Sequence, residues 1–203
     1  MFAWTATQIR VLDASARTFA AKGFDASTTD DIAAVLGQSK GVVYYNFRSK
    51  LDLFIGIYRR GMDELGTAVE AAMAGAGGGE ERLLAATTAH VRRIMAMPDY
   101  HHVIQQGIDA RTEGRMTAED RKRLAELVRL RDAHEARFVD IVKAGVRDRS
   151  LDAESPVLAA RTILGAILGV GNWYRPRATQ SDEELDALAA VIAGIIVRGI
   201  VAR

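Results

Sequence analysis

Between residues 28 and 53 the chain reads TTDDIAAVLGQSKGVVYYNFRSKLDL. Val43 and Phe47, four residues apart, put an apolar stripe on one side of a short predicted helix. The rest of that helix carries Lys40, Gly41, Val42, Tyr45 and Asn46. Such a surface fits the major groove of duplex DNA, which admits an α-helix and offers donors, acceptors and methyl groups to read. Tyr44 leaves two readings open, a core tyrosine with a satisfied hydroxyl or a surface contact.

Catalytic patterns fare worse. Gly37-Gln38-Ser39-Lys40-Gly41 matches the Gly-x-Ser-x-Gly nucleophile elbow, but that elbow follows a strand and here a helix is predicted before it. No Gly-x-x-x-x-Gly-Lys phosphate loop occurs. His90, His101, His102 and His134 lack a metal-binding spacing, and His101-His102 beside Tyr100 reads as a solvated helix start or a pocket lining. Cysteine is absent, which excludes disulfides, thiolate zinc sites and cysteine nucleophiles. The expectation is a non-enzyme that needs no cofactor and no metal.

The elements that must hold this surface are helices. Four segments open with Ser or Thr followed three residues later by an acid: Thr28/Asp31, Ser49/Asp52, Thr117/Asp120 and Ser181/Glu184. The hydroxyl accepts from a free backbone N–H and the acid answers in return. Each pair precedes an apolar run of helical period, so the predicted fold is all-α with about nine helices. The first helix spans about Thr5 to Lys22. Short helices after Thr28 and Ser39 flank Gly37, the helix-turn-helix pattern. A fourth runs from Ser49 to about Met73, where the run Gly75-Ala76-Gly77-Gly78-Gly79 breaks it. Further helices are predicted over Glu80–Met97, Asp99–Glu113, Thr117–Ala144 with Gly145 as the stop, Pro156–Tyr174, and from Ser181 to the C-terminus.

Hydrophobic residues make up 49% and charged residues 26%, ordinary for a globular protein. The net charge of +1 says nothing of nucleic acid, although residues 1–50 hold six Lys/Arg against four Asp. Met1–Ala6 lacks the basic start of a signal peptide. Pro156–Trp173 is apolar but contains Arg161 and is short for a bilayer. A cytoplasmic protein with no membrane partner is expected. Within that stretch Gly165 and Gly169 invite a close approach of backbones, between subunits or within the chain. The last predicted helix is apolar on more than one face.

Thr28-Thr29, Ile32-Ala33, Gly37, Ser39, Gly41, Tyr44, Phe47 and Ser49-Lys50 resemble, in order and spacing, the DNA-binding region of the tetracycline-repressor (TetR) family. Gln38 departs from the apolar residue more usual there. The resemblance implies an N-terminal helix-turn-helix domain over 1–50 and a C-terminal ligand-binding and dimerisation domain over 51–203. It implies phosphate contacts from Thr29, Tyr44 and Lys50, and Lys50 would stand in a first helical turn whose free N–H groups also favour an anion. Ser39, Lys40, Val42 and Tyr45 would face base edges, and Asn46 base or phosphate. The partners implied are double-stranded DNA carrying an inverted-repeat operator, a second copy of the chain joined through the last two helices, and a small-molecule effector held inside the C-terminal bundle.

Asn172-Trp173-Tyr174-Arg175-Pro176 and the helix after it resemble a TetR subgroup that answers to acyl-CoA thioesters. On that basis Trp173 and Arg175 are expected ligand residues, and Ile104, Ile108 and Phe138 join them as apolar side chains of the bundle in which TetR relatives open a pocket. Trp173 and Tyr174 could instead plug the dimer interface, and Arg175 could cap a helix C-terminus. The rival reading of the whole chain is a helical protein-interaction module with a degenerate helix-turn-helix.

Overall fold

A computed structural model describes residues 3–107, 116–177 and 179–201. Among these the chain forms nine α-helices: α1 Ala6–Lys22, α2 Thr29–Leu36, α3 Lys40–Asn46, α4 Lys50–Met73, α5 Gly79–Ala96, α6 Pro98–Gln106, α7 Ala118–Asp148, α8 Pro156–Trp173 and α9 Asp182–Val197. A 3₁₀ turn, Arg198–Ile200, follows α9, so the last helix stops short of the expected C-terminal end. The described residues contain no strand, only an antiparallel bridge between Leu151 and Val201. The all-α expectation holds.

The capping signals act as their chemistry requires. Thr28 and Asp31 exchange side-chain and backbone bonds, as do Ser181 and Glu184. Thr117 Oγ1 accepts from the Asp120 N–H at 3.1 Å. Ser49 Oγ accepts from the Asp52 N–H at 3.0 Å, and the Asp52 carboxylate also accepts from Arg123. Thr5 heads α1 with a box closed by Gln8 rather than an acid.

Two predicted boundaries are corrected. Gly107, with φ 64°, closes α6 at Gln106, and the rest of the expected 99–113 helix, including Ile108, lies outside the described residues. Gly145 does not stop α7. It lies inside the helix, and a Cβ built on Gly79 would stand 2.1 Å from its Cα, so the absent side chains let the start of α5 touch α7. The helix ends instead at Arg149, which takes a left-handed φ of 65° while the Leu151 N–H returns to the Gly145 carbonyl at 3.0 Å.

Packing groups the chain into two compact units, Met1–Asp63 with Met97–Arg129, and Glu64–Ala96 with Leu130–Arg203. The first is built on Val11, Leu12, Phe19, Ile32, Val43, Leu53 and Ile57, all at most 1% exposed. Arg60, Asp13 and Tyr100 join α4, α1 and α6 within it: Arg60 donates to both partners and the Tyr100 hydroxyl donates to Asp13 at 2.9 Å. The second unit is built on Val69, Leu83, Val91, Phe138, Val142, Ile163 and Ile167.

By length and composition α8 could cross a membrane, with 18 residues at mean hydropathy 1.2. In this fold Ala160, Ile163, Leu164, Ile167 and Val170 are instead buried in the core of the second unit.

Candidate nucleic-acid interface

The site begins with the cap of α2. Thr28 Oγ1 accepts from the Asp31 N–H at 3.1 Å, and the Asp31 carboxylate accepts from the Thr28 N–H at 2.9 Å. Lys22, at the end of α1, reaches the same carboxylate at 2.6 Å. Hydrogen bonds from Lys22 and Thr28 hold the Asp31 pKa down at about 2. The angle between the first two helices is thus tied at a single carboxylate.

The turn is a Schellman closure. Gly37 sits at φ 67°, ψ 31°, and its N–H reaches Ala34 while the Gln38 N–H reaches the Ala33 carbonyl at 3.1 Å. Glycine supplies that left-handed conformation without Cβ strain. The turn drops Val43 and Phe47 into the core at 1% and 7% exposure, beside Ile32 and Ala33. Because α3 is only seven residues long, burying that side turns the other outward.

Lys40, Gly41, Tyr44 and Tyr45 are exposed, with Tyr44 at 52% and Tyr45 at 91%. Tyr44 is therefore not a core residue. Its hydroxyl accepts from Thr29 Oγ1 at 3.2 Å, which joins α2 to α3 at the surface. Ser39 precedes α3, is exposed, and makes no side-chain capping bond. Val42 and Asn46 are half-buried, and Asn46 Nδ2 donates to the Val42 carbonyl at 2.8 Å, one turn back. Lys40 lies 3.4 Å from Asp30, an exposed pair of the kind that contributes little in water.

Lys50 has a structural role that its position in the sequence did not signal. Its ammonium donates to the Asp25 carbonyl at 3.0 Å and the Ser27 carbonyl at 3.1 Å, and stands 4.6 Å from the centroid of the Phe24 ring. Burial pushes its pKa below the ordinary lysine value. One of its three donors remains for an outside partner. The signal is absent locally because the carbonyls lie 23 and 25 residues away. Arg48, exposed at the α3–α4 turn, is a further cation that the sequence reading did not name.

The residues expected to hold a ligand lie on different elements. Phe138, on α7, is fully buried in the second unit beside His90 and His134. Ile104, on α6, packs against Gly61 in the first unit. Ile108 lies outside the described residues. Trp173 is 58% exposed at the end of α8, and Arg175 donates to the carbonyl of Tyr174, the residue just beyond that helix, at 2.8 Å. An open cleft of about 450 Å³ in the second unit is lined by Ala72, Leu84, Ala89 and Arg92 among others, and by none of the expected ligand residues.

The open side of α8 and α9 is apolar. Leu158, Trp173, Val191 and Ile195 are 58–66% exposed, and a Cβ on Gly165 or Gly169 would meet nothing within 4 Å. These glycines therefore make no close approach within the described chain.

Residues 11–57 match the tetR family of bacterial regulatory proteins, and residues 76–200 match the tetracyclin repressor-like C-terminal domain. The transcriptional activator FasR of Mycolicibacterium smegmatis is 35% identical over 80 residues, which is 39% of this chain and 36% of that protein. The chain thus matches about a third of the length of that curated relative. A tetR-family regulatory protein from Rhodococcus RHA1 is 26% identical with a TM-score of 0.79, over 98% of this chain and 100% of that one. The structure of AibR with isovaleryl coenzyme A and operator DNA, 19% identical with a TM-score of 0.72 over 93% of this chain and 97% of that one, shares the fold alone. With both halves matched and the helix-turn-helix intact, this chain belongs to the TetR family of bacterial transcriptional regulators.

Proposed function

We propose that the chain is a ligand-responsive, DNA-binding transcriptional repressor, cytoplasmic and active as a twofold dimer. The observation that carries this reading is α3: Val43 and Phe47 anchor it, and Lys40, Gly41, Tyr44 and Tyr45 face solvent beside a capped turn. Residues 1–50 are the DNA-binding head, and residues 51–203 bind the effector and pair the subunits. The contact set is Thr29, Ser39, Lys40, Gly41, Val42, Tyr44, Tyr45, Asn46 and Lys50. Phosphate contacts position such a helix and base-edge contacts specify the sequence. A dimer presents two such helices to half-sites about one helical turn apart, so the operator is an inverted repeat.

The open apolar face of α8 and α9 is the dimer surface in this reading. The effector is an acyl-CoA thioester, a class suggested by the Trp173–Pro176 segment and compatible with the ligand that AibR carries in its crystal. It releases DNA by binding the DNA-incompetent state more tightly, since equal affinity for both states shifts nothing. A thermal-shift and DNA-release panel of acyl-CoA thioesters against their free acids tests this. A true effector at about 100 times its Kd adds about 2.7 kcal/mol of stability and frees the operator. Release by an unrelated apolar compound, with no thioester active, removes the thioester class. A reporter strain tests the sign of regulation, because FasR is an activator.

A further inference from the structure

The core of the second unit holds three buried polar side chains. Thr87 is 0% exposed, His90 3% and His134 7%. Thr87 and His90 stand one turn apart on the same side of α5, and His134 comes from α7. His134 Nε2 lies 3.3 Å from His90 Nδ1, a hydrogen bond that uses one nitrogen of each ring. The rings meet edge to face at 4.9 Å, and both lean on Phe138, at 6.0 Å from His90 and 5.3 Å from His134. Among the described residues no third metal-binding side chain joins the pair.

Two atoms of this group have no hydrogen-bond partner within the described protein: Thr87 Oγ1 and His134 Nδ1. A helical threonine can return its hydroxyl to the carbonyl four residues back, yet Thr87 does not. Leaving a buried donor or acceptor unmade costs about 1–3 kcal/mol, whereas an apolar replacement of the same shape costs nothing of that kind. Apolar walls with a few placed polar atoms are also the make-up of a small-molecule site.

We propose that Thr87 and His134, with His90 orienting the His134 ring, are the polar anchor of an effector site inside the second unit, for an apolar molecule carrying a neutral carbonyl or hydroxyl group. The proposal rests on the reading of this half as effector-binding, and it names the chemistry that is recognised. Burial, with Arg137 nearby, pulls the His134 pKa down to about 4. The ring is therefore neutral at pH 7 and brings no charge of its own to offset a buried carboxylate, and Arg137 is already paired with Glu70 at 2.6 Å. A ketone, ester, thioester or alcohol can instead take the hydroxyl of Thr87 and the free nitrogen of His134. His90 touches no ligand in this arrangement. It sets the tautomer of His134 through the shared bond.

The test uses the full-length protein with 2-decanone, methyl decanoate and 1-decanol as neutral probes and decanoate as the charged control, by calorimetry at pH 7.5. At least one neutral probe binds tenfold or more tighter than decanoate. Thr87→Val and His134→Phe each weaken that probe about tenfold, while Thr87→Val leaves the melting temperature of the free protein unchanged or higher. A merely structural threonine would lower it. The long-range ¹⁵N signal of His134 Nδ1 shifts on probe addition in wild type. The proposal is overturned if no neutral probe binds, if both variants bind it like wild type, or if the His134 signal does not move, which would mean that bound water alone serves these atoms. Operator binding is measured on the same variants. Retained operator binding with a failed anchor leaves the regulator reading standing, and loss of operator binding by the wild type is what fails that reading.

Discussion

Lys50 serves the fold, and the proposed phosphate contact would give the same side chain a second task. Two of its donors hold the α1–α2 loop carbonyls of Asp25 and Ser27, so Lys50→Ala should do more than remove one phosphate contact. The expected result is a fall in stability of about 1–2 kcal/mol, together with a salt slope lower by roughly one unit. An unchanged melting temperature would separate the loop from the lysine. Asp30, 3.4 Å from Lys40 and exposed, places a negative charge where phosphates would approach. Asp30→Asn should raise operator affinity several-fold at low salt and less at high salt, where screening shortens the reach of the charge. A variant weaker at every salt concentration would contradict this. Asp31 contributes to the pH dependence of the head at its acid end. Its folded pKa, about 2, lies below the ordinary value of 3.8, so its stabilising effect is complete above about pH 4 and is lost as the pH falls through about 2. Asp31→Asn should melt earlier than wild type at pH 7, and the gap should close as the pH approaches 2.

The elements differ in how far local sequence specifies them. Helix starts were legible because a cap is a short-range device: Thr28, Ser49, Thr117 and Ser181 all receive the backbone N–H that their spacing calls for. Gly37 was legible for the same reason, since only the local turn decides its left-handed backbone. Gly145 was misread because a glycine can stop a helix or admit a neighbour, and the neighbour, Gly79, lies 66 residues earlier. The surface of α3 could be read from one four-residue spacing. The ammonium cradle of Lys50 and the His90–His134 pair could not, because they join residues 23 to 44 apart that no periodicity links. Tyr100 offers a test at this scale. Its hydroxyl donates to Asp13 and accepts from Arg60, which ties α6 to α1 and α4. Tyr100→Phe should cost about 1–2 kcal/mol through those two lost bonds, read as a lower denaturation midpoint with an unchanged slope.

At the scale of the whole molecule, a seven-residue recognition helix gives one protomer little contact with DNA, so useful affinity needs two. The proposed pairing surface is the open face of α8 and α9. A Cβ at Gly165 meets nothing within 4 Å among the described residues, so Gly165→Leu should fold with a wild-type circular dichroism spectrum yet shift from dimer to monomer by light scattering. An unchanged dimer would move the interface elsewhere. The most direct test of the central claim is a salt titration of binding to duplex DNA from upstream of the protein's own gene. The expected result is two protomers per inverted repeat, a log affinity that falls linearly with log salt by about 0.9 per phosphate contact, and far weaker binding to a single half-site. Binding to the inverted repeat that is no tighter than to random duplex, or that does not respond to salt, would contradict it.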